Sequence, residues 1–331
     1  MELTTVWFIL IGVLWAGYFL LEGFDFGVGI LLPVLGRDER SRRLAINTIG
    51  PVWDANEVWV LVAGGATFAA FPEWYATLFS GFFLPLLLIL VALIVRGLAF
   101  EYRGKRDSAR WKQGWDLAIF WGSLIPAILW GVAFGNILRG VPLDAQHEYV
   151  GGFFNLLNPY AILGGLTTLT LFTLHGAVFL ALKTDGPMRA EAGRLAFRLS
   201  LAAVPIAAAF LLWTGIVNLD AFGIALSVLA AVALLGAVWF TRARREGWAF
   251  TATGATILLA VAALFTTLFP NVMPSSLDPA DSLTVINASS TPYTLTVMTW
   301  VAVAFTPIVL IYQGWTYWVF RKRLTLSDIP A

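Results

Sequence analysis

Cysteine is absent from this 331-residue sequence, which excludes disulfides, thiolate metal sites and thiol catalysis. Histidine is nearly absent too: there are two, His147 and His175. No H-x-x-x-H pair, no phosphate-binding glycine loop and no nucleophile–base pair stands in the chain. Charge is scarce, at 12% of residues, about half of the roughly 25% usual in soluble domains. Apolar residues take that place. They make up 59% of the chain, and the mean hydropathy is +0.80. This composition is that of an integral membrane protein, and the length supplies several spans rather than several soluble units. The sequence is read as one integral membrane domain, 1–331, and as an all-α fold.

A helix needs about 20 apolar residues to cross the hydrocarbon core. Nine such runs are predicted, near 5–33, 46–71, 76–102, 115–139, 157–182, 196–218, 222–241, 248–269 and 294–319. The first follows M-E-L-T-T, which has an acid and no basic region, and no small-residue cleavage site follows it. It is therefore read as a span, not a cleaved signal peptide. The net charge of +1 hides a strong segregation of sign. The segments after spans one, three, five and seven and the C-terminal tail hold 19 of the 21 Lys and Arg residues. Arg96 and Arg139 are the exceptions. The positive-inside rule then places the N-terminus outside and the C-terminus in the cytoplasm, in keeping with an odd number of spans.

The carboxylates at membrane depth are the unusual feature. L-E-G-F-D-F-G places Glu22 and Asp25 in the inner half of span one. P-V-W-D-A-N-E-V-W places Asp54 and Glu57 early in span two, and span three carries Arg96 and Glu101. A spacing of three puts each acid pair on a shared helix face. All six groups are expected in the cytoplasmic half of three neighbouring helices. Intramembrane ionisable groups mark ion or proton pathways by default. Five acids against one arginine leave surplus negative charge, so some of the acids are expected to carry protons. The competing reading is a buried ion-pair cluster around Arg96 that only ties three helices together.

Other residues have plainer readings. His175, inside span five, reads as a hydrogen-bonded packing residue rather than a haem or metal ligand, and His147 as a solvated loop residue. Trp53 and Trp59 flank the acidic motif and read as packing residues. Arg139 is expected to snorkel to headgroups. G-F-D-F-G at 23–27 and G-V-A-F-G at 131–135 are faces that allow close helix approach. The longest external loop contains the sequon N-A-S at 287–289, but a folded cap over the outer face is the better expectation.

The chain resembles subunit II, the small core subunit of cytochrome bd-type quinol oxidases. The resemblance rests on E-G-F-D-F-G-V-G at 22–29, P-V-W-D-A-N-E-V-W at 51–59, G-G-A-T-F-A-A-F-P at 64–72, F-S-G-F at 79–82, G-V-A-F-G-N-I-L-R-G-V-P at 131–142, L-N-P-Y at 157–160, F-P-N-V-M-P-S-S at 269–276 and M-T-W-V-A at 298–302. It implies a bacterial cytoplasmic-membrane complex that oxidises quinol, reduces dioxygen to water and builds proton-motive force without pumping. It implies two four-helix bundles plus one peripheral helix. The haems b and d and the quinol site belong to a larger subunit I, the partner in a pseudo-symmetric heterodimer. Asp54 matches the proton-uptake aspartate of the W-D-x-N motif, and Asp25 stands at the other acidic motif. Joined to the reading of the buried charges, this makes Asp54 the proton relay of a pathway that includes Glu22, with Asp25, Glu57 and Glu101 keeping it polar and Arg96 as charge partner.

The resemblance also allows a structural quinone or lipid in this chain and small single-helix accessory subunits, with no residue assigned to either. Two departures stand out. Glu57 replaces the Gln of some members, and the connection N-L-D-A-F-G between spans six and seven is short. A proton-coupled secondary transporter is the alternative, expected to show two inverted halves with broken helices. A purely structural partner for a haem-bearing subunit is the third reading.

Overall fold

The structure, a computed structural model, describes residues 2–217 and 220–329. Its helices are α1 (Leu3–Leu35), α2 (Glu39–Ile49), α3 (Trp53–Ala70), α4 (Pro72–Gly81), α5 (Phe83–Tyr102), α6 (Ala109–Arg139), α7 (Gly152–Asn155), α8 (Pro159–Lys183), α9 (Pro187–Val217), α10 (Ala221–Arg242), α11 (Glu246–Leu268) and α12 (Pro292–Val319). Their starts follow local chemistry. Asp38 caps α2 by accepting from the Ser41 N–H at 2.8 Å. Asn158 caps α8 through Ala161 N–H at 3.0 Å, with Pro159 in the first turn where its missing N–H costs nothing. Thr291 and Pro292 open α12 the same way.

Among the described residues, eight helices are long and apolar enough to cross a membrane: α1, α5, α6 and α8 to α12. The expected span 46–71 is different. Its chain leaves α2 at Gly50 and Pro51, and α3 begins only at Trp53. Asp54, Asn56 and Glu57 keep α3 below the hydropathy of the other eight. The expected span 76–102 is also interrupted. It is built from α4 and α5, which meet at the buried Phe82. A side chain on neighbouring Gly81 would stand 2.6 Å from the Tyr149 Cβ. The end of the expected sixth span and the start of the short connection after it, residues 218–219, lie outside the described residues.

α1 is the axis of the molecule. It packs against α3, α6, α8 and α11, and every residue from Glu22 to Leu32 is buried. α5 packs on α6, α6 on α8, α8 on α9, and α11 on α10 and α8. Glycine makes the tightest crossings possible. A Cβ on Gly27 would lie 2.7 Å from the Gly176 Cα, and one on Gly131 would lie 2.6 Å from the Gly164 carbonyl carbon. Both glycines belong to the small-residue faces read from the sequence. α12 stands apart: 6% of its apolar window is buried against 72% for α8. It touches α1 and α3.

The long loop is folded, as expected. Strands β1 (Asn271–Met273) and β2 (Leu283–Thr284) pair antiparallel, with Asn271 opposite Thr284 and Met273 opposite Leu283. The 140–158 loop joins them through Val141 N–H to Pro274 O at 3.0 Å and Ser276 N–H to Val141 O at 2.9 Å. The sequon residue Asn287 is tied into this cap: its amide donates to Ser282 O at 3.0 Å and accepts from Thr284 N–H at 2.6 Å.

Candidate functional site: buried charges between α1, α3 and α5

Three helices build the site. α1 supplies Glu22 and Asp25, α3 supplies Asn56 and Glu57, and α5 supplies Arg96. Glu22, Asp25, Asn56 and Arg96 are fully buried. One guanidinium nitrogen of Arg96, Nη2, donates both to Glu22 Oε1 and to Glu57 Oε2, the latter at 3.3 Å. Glu57 is partly open, with its side chain 20% exposed. The Arg96 plane also lies over the Phe26 ring at 4.8 Å, a second contact that compensates a buried cation. The close fit of α5 on α6 at this level depends on Gly122, where a Cβ would stand 2.6 Å from the Arg96 Cβ.

Asp25 is held separately. Its Oδ2 accepts from the Asn56 side-chain N–H at 2.7 Å. Asn56 Oδ1 in turn accepts from the Tyr317 hydroxyl at 2.7 Å and from Gln313 Nε2 at 3.4 Å. Trp59 Nε1 donates to Gln313 Oε1 at 3.0 Å. A polar strap therefore runs from α12 across α3 to the buried aspartate. Trp59 itself packs on the surface of Gly17, and Trp53 lies against Phe100 at 4.9 Å. Besides Thr4 Oγ1 and Trp74 Nε1, the buried polar atoms without a protein partner among the described residues are Glu22 Oε2, Asp25 Oδ1, Arg96 Nε and Nη1, and Ser123 Oγ.

The other sequence candidates stand at the surface. Asp54, in the first turn of α3, is exposed, and so is Glu101 near the end of α5. Neither forms an ion pair or side-chain hydrogen bond among the described residues. The six charges are therefore not one cluster: Glu22, Glu57 and Arg96 touch, Asp25 is bound through Asn56, and Asp54 and Glu101 flank them. The helical repeat explains the split. Residues two apart on a helix point about 200° apart, so burying Asn56 turns Asp54 outward, while Glu57 stays within reach of both.

The participants not singled out in sequence are Asn56, Gln313 and Tyr317. Asn56 lay inside the quoted W-D-A-N. Gln313 and Tyr317 carry a readable signal, two polar groups four residues apart in an otherwise apolar helix. A second charged group was also missed, at the basic end. Arg103 donates to Asp116 at 2.5 Å and to Glu39 at 2.8 Å. Arg103 holds the Glu39 carboxyl below its ordinary range.

His175 does not fit a haem. Its Nε2–H donates to the Leu20 carbonyl at 3.2 Å, which leaves Nδ1 to accept from the Thr253 hydroxyl at 2.7 Å. Both ring nitrogens are engaged, and the ring stacks on Phe250 at 4.5 Å. It is the packing histidine the sequence reading favoured. His147 sits in the 140–158 loop with φ 60, where its carbonyl accepts from the Thr77 hydroxyl at 3.0 Å. No group of three His, Asp or Glu suited to a metal occurs among the described residues.

The family model for cytochrome bd terminal oxidase subunit II matches residues 3–320. The cytochrome bd ubiquinol oxidase subunit 2 of Bacillus subtilis (strain 168) is 45% identical over 333 residues, covering 99% of this chain and 98% of that protein. The cytochrome bd-I ubiquinol oxidase subunit 2 of Escherichia coli (strain K12) is 37% identical over 363 residues, covering 98% and 96%. In fold, the chain superposes on a chain from the structure of the bd oxidase of Geobacillus thermodenitrificans with a TM-score of 0.78, at 18% identity, over 97% of this chain and 100% of that one. With eight helices long and apolar enough to cross a membrane among the described residues and a match along nearly its whole length, the chain belongs to the cytochrome bd terminal oxidase subunit II family.

Proposed function

We propose that this chain is the haem-free core subunit of a bacterial quinol oxidase, and that its acids conduct protons from the cytoplasm to the oxygen-reducing centre of the partner subunit I. The observation that carries this is the gradient of exposure along one short row. Asp54 is exposed, Glu57 is partly open, and Glu22 and Asp25 are fully buried. Such a row takes up protons from water at one end and holds them at membrane depth at the other. The free valences on Glu22, Asp25, Arg96 and Ser123 suit ordered water, the usual bridge between relay groups. Arg96 balances the charge of Glu22 and Glu57, and Glu101 adds negative charge at the same end.

The partner's haems, b and d, supply the electron transfer and oxygen chemistry. Four electrons and four protons turn one dioxygen into two waters, and this chain's part is to deliver protons. In this reading the helices form two four-helix bundles with α12 peripheral, the N-terminus lies outside, and the whole chain is one membrane domain. The bulk of α12, left bare in this chain, is covered by subunit I, lipid or small accessory subunits. An apolar cavity of about 230 Å³ between α6, α8, α9, α10 and α11 is the place for a resident quinone or lipid tail. The transporter alternative is set aside by family membership.

Asp54→Asn and Asp25→Asn in the purified two-subunit complex test the relay. Each keeps the shape and removes the titrating group. Oxygen consumption is expected to fall at least tenfold, with haem content per complex unchanged. Full turnover in complexes of normal haem content would refute the relay. Loss of haem with residual turnover per haem intact would leave the acids a purely structural role, which the Arg96 ion pairs between α1, α3 and α5 also favour.

A further inference from the structure

The basic end of the molecule is not uniform. Around α2 and the α5–α6 turn, several positive charges are paired in place, while Lys105, Arg106 and Arg110 stand exposed without an ion pair among the described residues. Arg103 sits on Glu39 and Asp116, Arg42 on Asp116, and Lys112 on Asp107 and Glu39. Arg40 donates to the carbonyls of Leu326 and Ile329 at 2.6 and 3.3 Å. On the other side, the α8–α9 turn, the start of α9 and the α10–α11 turn enclose a cleft of about 650 Å³. Six arginines line it, Arg189, Arg194, Arg198, Arg242, Arg244 and Arg245, against two carboxylates, Asp185 and Glu246. Both carboxylates are already taken. Arg189 donates to Glu246 at 2.9 Å and approaches Asp185 at 3.5 Å, and Arg323 stands 3.9 Å from Glu246. The remaining five arginines have no ion pair among the described residues.

Five like charges around one concavity repel one another, and no ion pair among the described residues offsets them. The backbone nevertheless holds them there. The turn carrying Arg242, Arg244 and Arg245 places Arg244 at φ 54, a region that favours glycine. It is fixed by Arg245 N–H to Phe240 O at 3.0 Å and Arg244 N–H to Thr241 O at 3.2 Å. Phe197 and Phe240 also line the cleft and give it an apolar wall. Guanidinium forks match phosphate oxygens in pairs, and the cleft lies where α8 and α10 end and α9 and α11 begin, at the basic end of these apolar helices.

We propose that this cleft binds a phosphate-bearing anion, either the headgroup of an anionic phospholipid or a free polyphosphate, through Arg194, Arg198, Arg242, Arg244 and Arg245. The site is separate from the buried acids and does not depend on their role.

The test uses the purified two-subunit complex in nanodiscs. Retention of phosphatidylglycerol from mixed phosphatidylcholine discs is read by native mass spectrometry. Binding of inorganic pyrophosphate is read by calorimetry in phosphatidylcholine discs. Arg194→Gln with Arg245→Gln is compared with Lys105→Gln with Arg110→Gln, which removes the same charge from exposed positions elsewhere on the basic end. The cleft variant is expected to bind about tenfold more weakly per arginine lost, and the control to bind as the unaltered complex does. Arg194→Lys with Arg245→Lys keeps charge but loses the fork, and is expected to fall between them. Loss confined to phosphatidylglycerol identifies a lipid headgroup, and loss of pyrophosphate binding identifies a soluble anion. Equal losses in cleft and control variants, or no binding of either probe to the unaltered complex, would overturn the proposal.

Discussion

Tyr317 and Asp25 are joined through a single amide. The Tyr317 hydroxyl donates to Asn56 Oδ1 at 2.7 Å, and Asn56 Nδ2 donates to Asp25 Oδ2 at 2.7 Å. Because the tyrosine fixes which way the amide faces, a helix that buries little of itself orients a fully buried carboxylate. α12 is thereby linked to the site by polar contacts rather than by a large apolar seam.

Removing either end of that strap has separable effects. Tyr317→Phe keeps the ring and strips one donor, so it is expected to cost about 1 kcal/mol of stability. Oxygen consumption should fall several-fold with haem content intact. Asn56→Ala removes the partner of Asp25 as well and is expected to cost about 2–3 kcal/mol. Thermal inactivation midpoints and oxygen-electrode rates check both, and equal rates in Tyr317→Phe and the parent would remove the strap from the function.

Arg96 should behave as an assembly residue first. Arg96→Leu leaves Glu22 buried without its cation and breaks the contact to Glu57, a loss of about 3–5 kcal/mol. Haem per complex is expected to drop more than turnover per remaining haem. The pyridine haemochrome assay measures the first and oxygen uptake the second.

Gly27 is expected to admit no larger residue. A Cβ there meets the backbone of α8 at Gly176, which cannot swing away as a side chain would. Gly27→Leu should destabilise by about 3 kcal/mol or more, above the usual overpacking cost. Yield of folded chain in mild detergent is the readout. Gly65, with open space around it, should accept alanine without loss.

Acid should loosen the basic end. Arg103 lowers the Glu39 carboxyl from its ordinary value. A group depressed on folding stabilises the fold above its unfolded pKa, and that contribution is lost as pH falls through the lower folded value. Melting temperature is therefore expected to fall between about pH 5 and pH 3. Glu39→Gln should lower the plateau at neutral pH and flatten this limb. An unchanged acid limb in the variant would assign the slope to other carboxylates.

The amino-acid sequence by itself determined what depends on neighbours along the chain. Apolar runs gave most of the helices, because hydrocarbon leaves few options for an apolar backbone. Segregated Lys and Arg marked one end, and the motifs quoted from 22–29 and 51–59 carried the family. The same local reading missed the break at Gly50–Pro51 and the bend at Phe82, since hydropathy does not register where a continuous apolar run changes direction. Tertiary structure decided which charges meet. Asp54 and Asn56 are two residues apart, and only the rotation of α3 against α1 exposes one and buries the other. Gln313 and Tyr317 lie more than 250 positions from Asn56, and no spacing rule reaches that far. Composition set the cost of burying charge in a membrane; helix packing chose the partners that offset it.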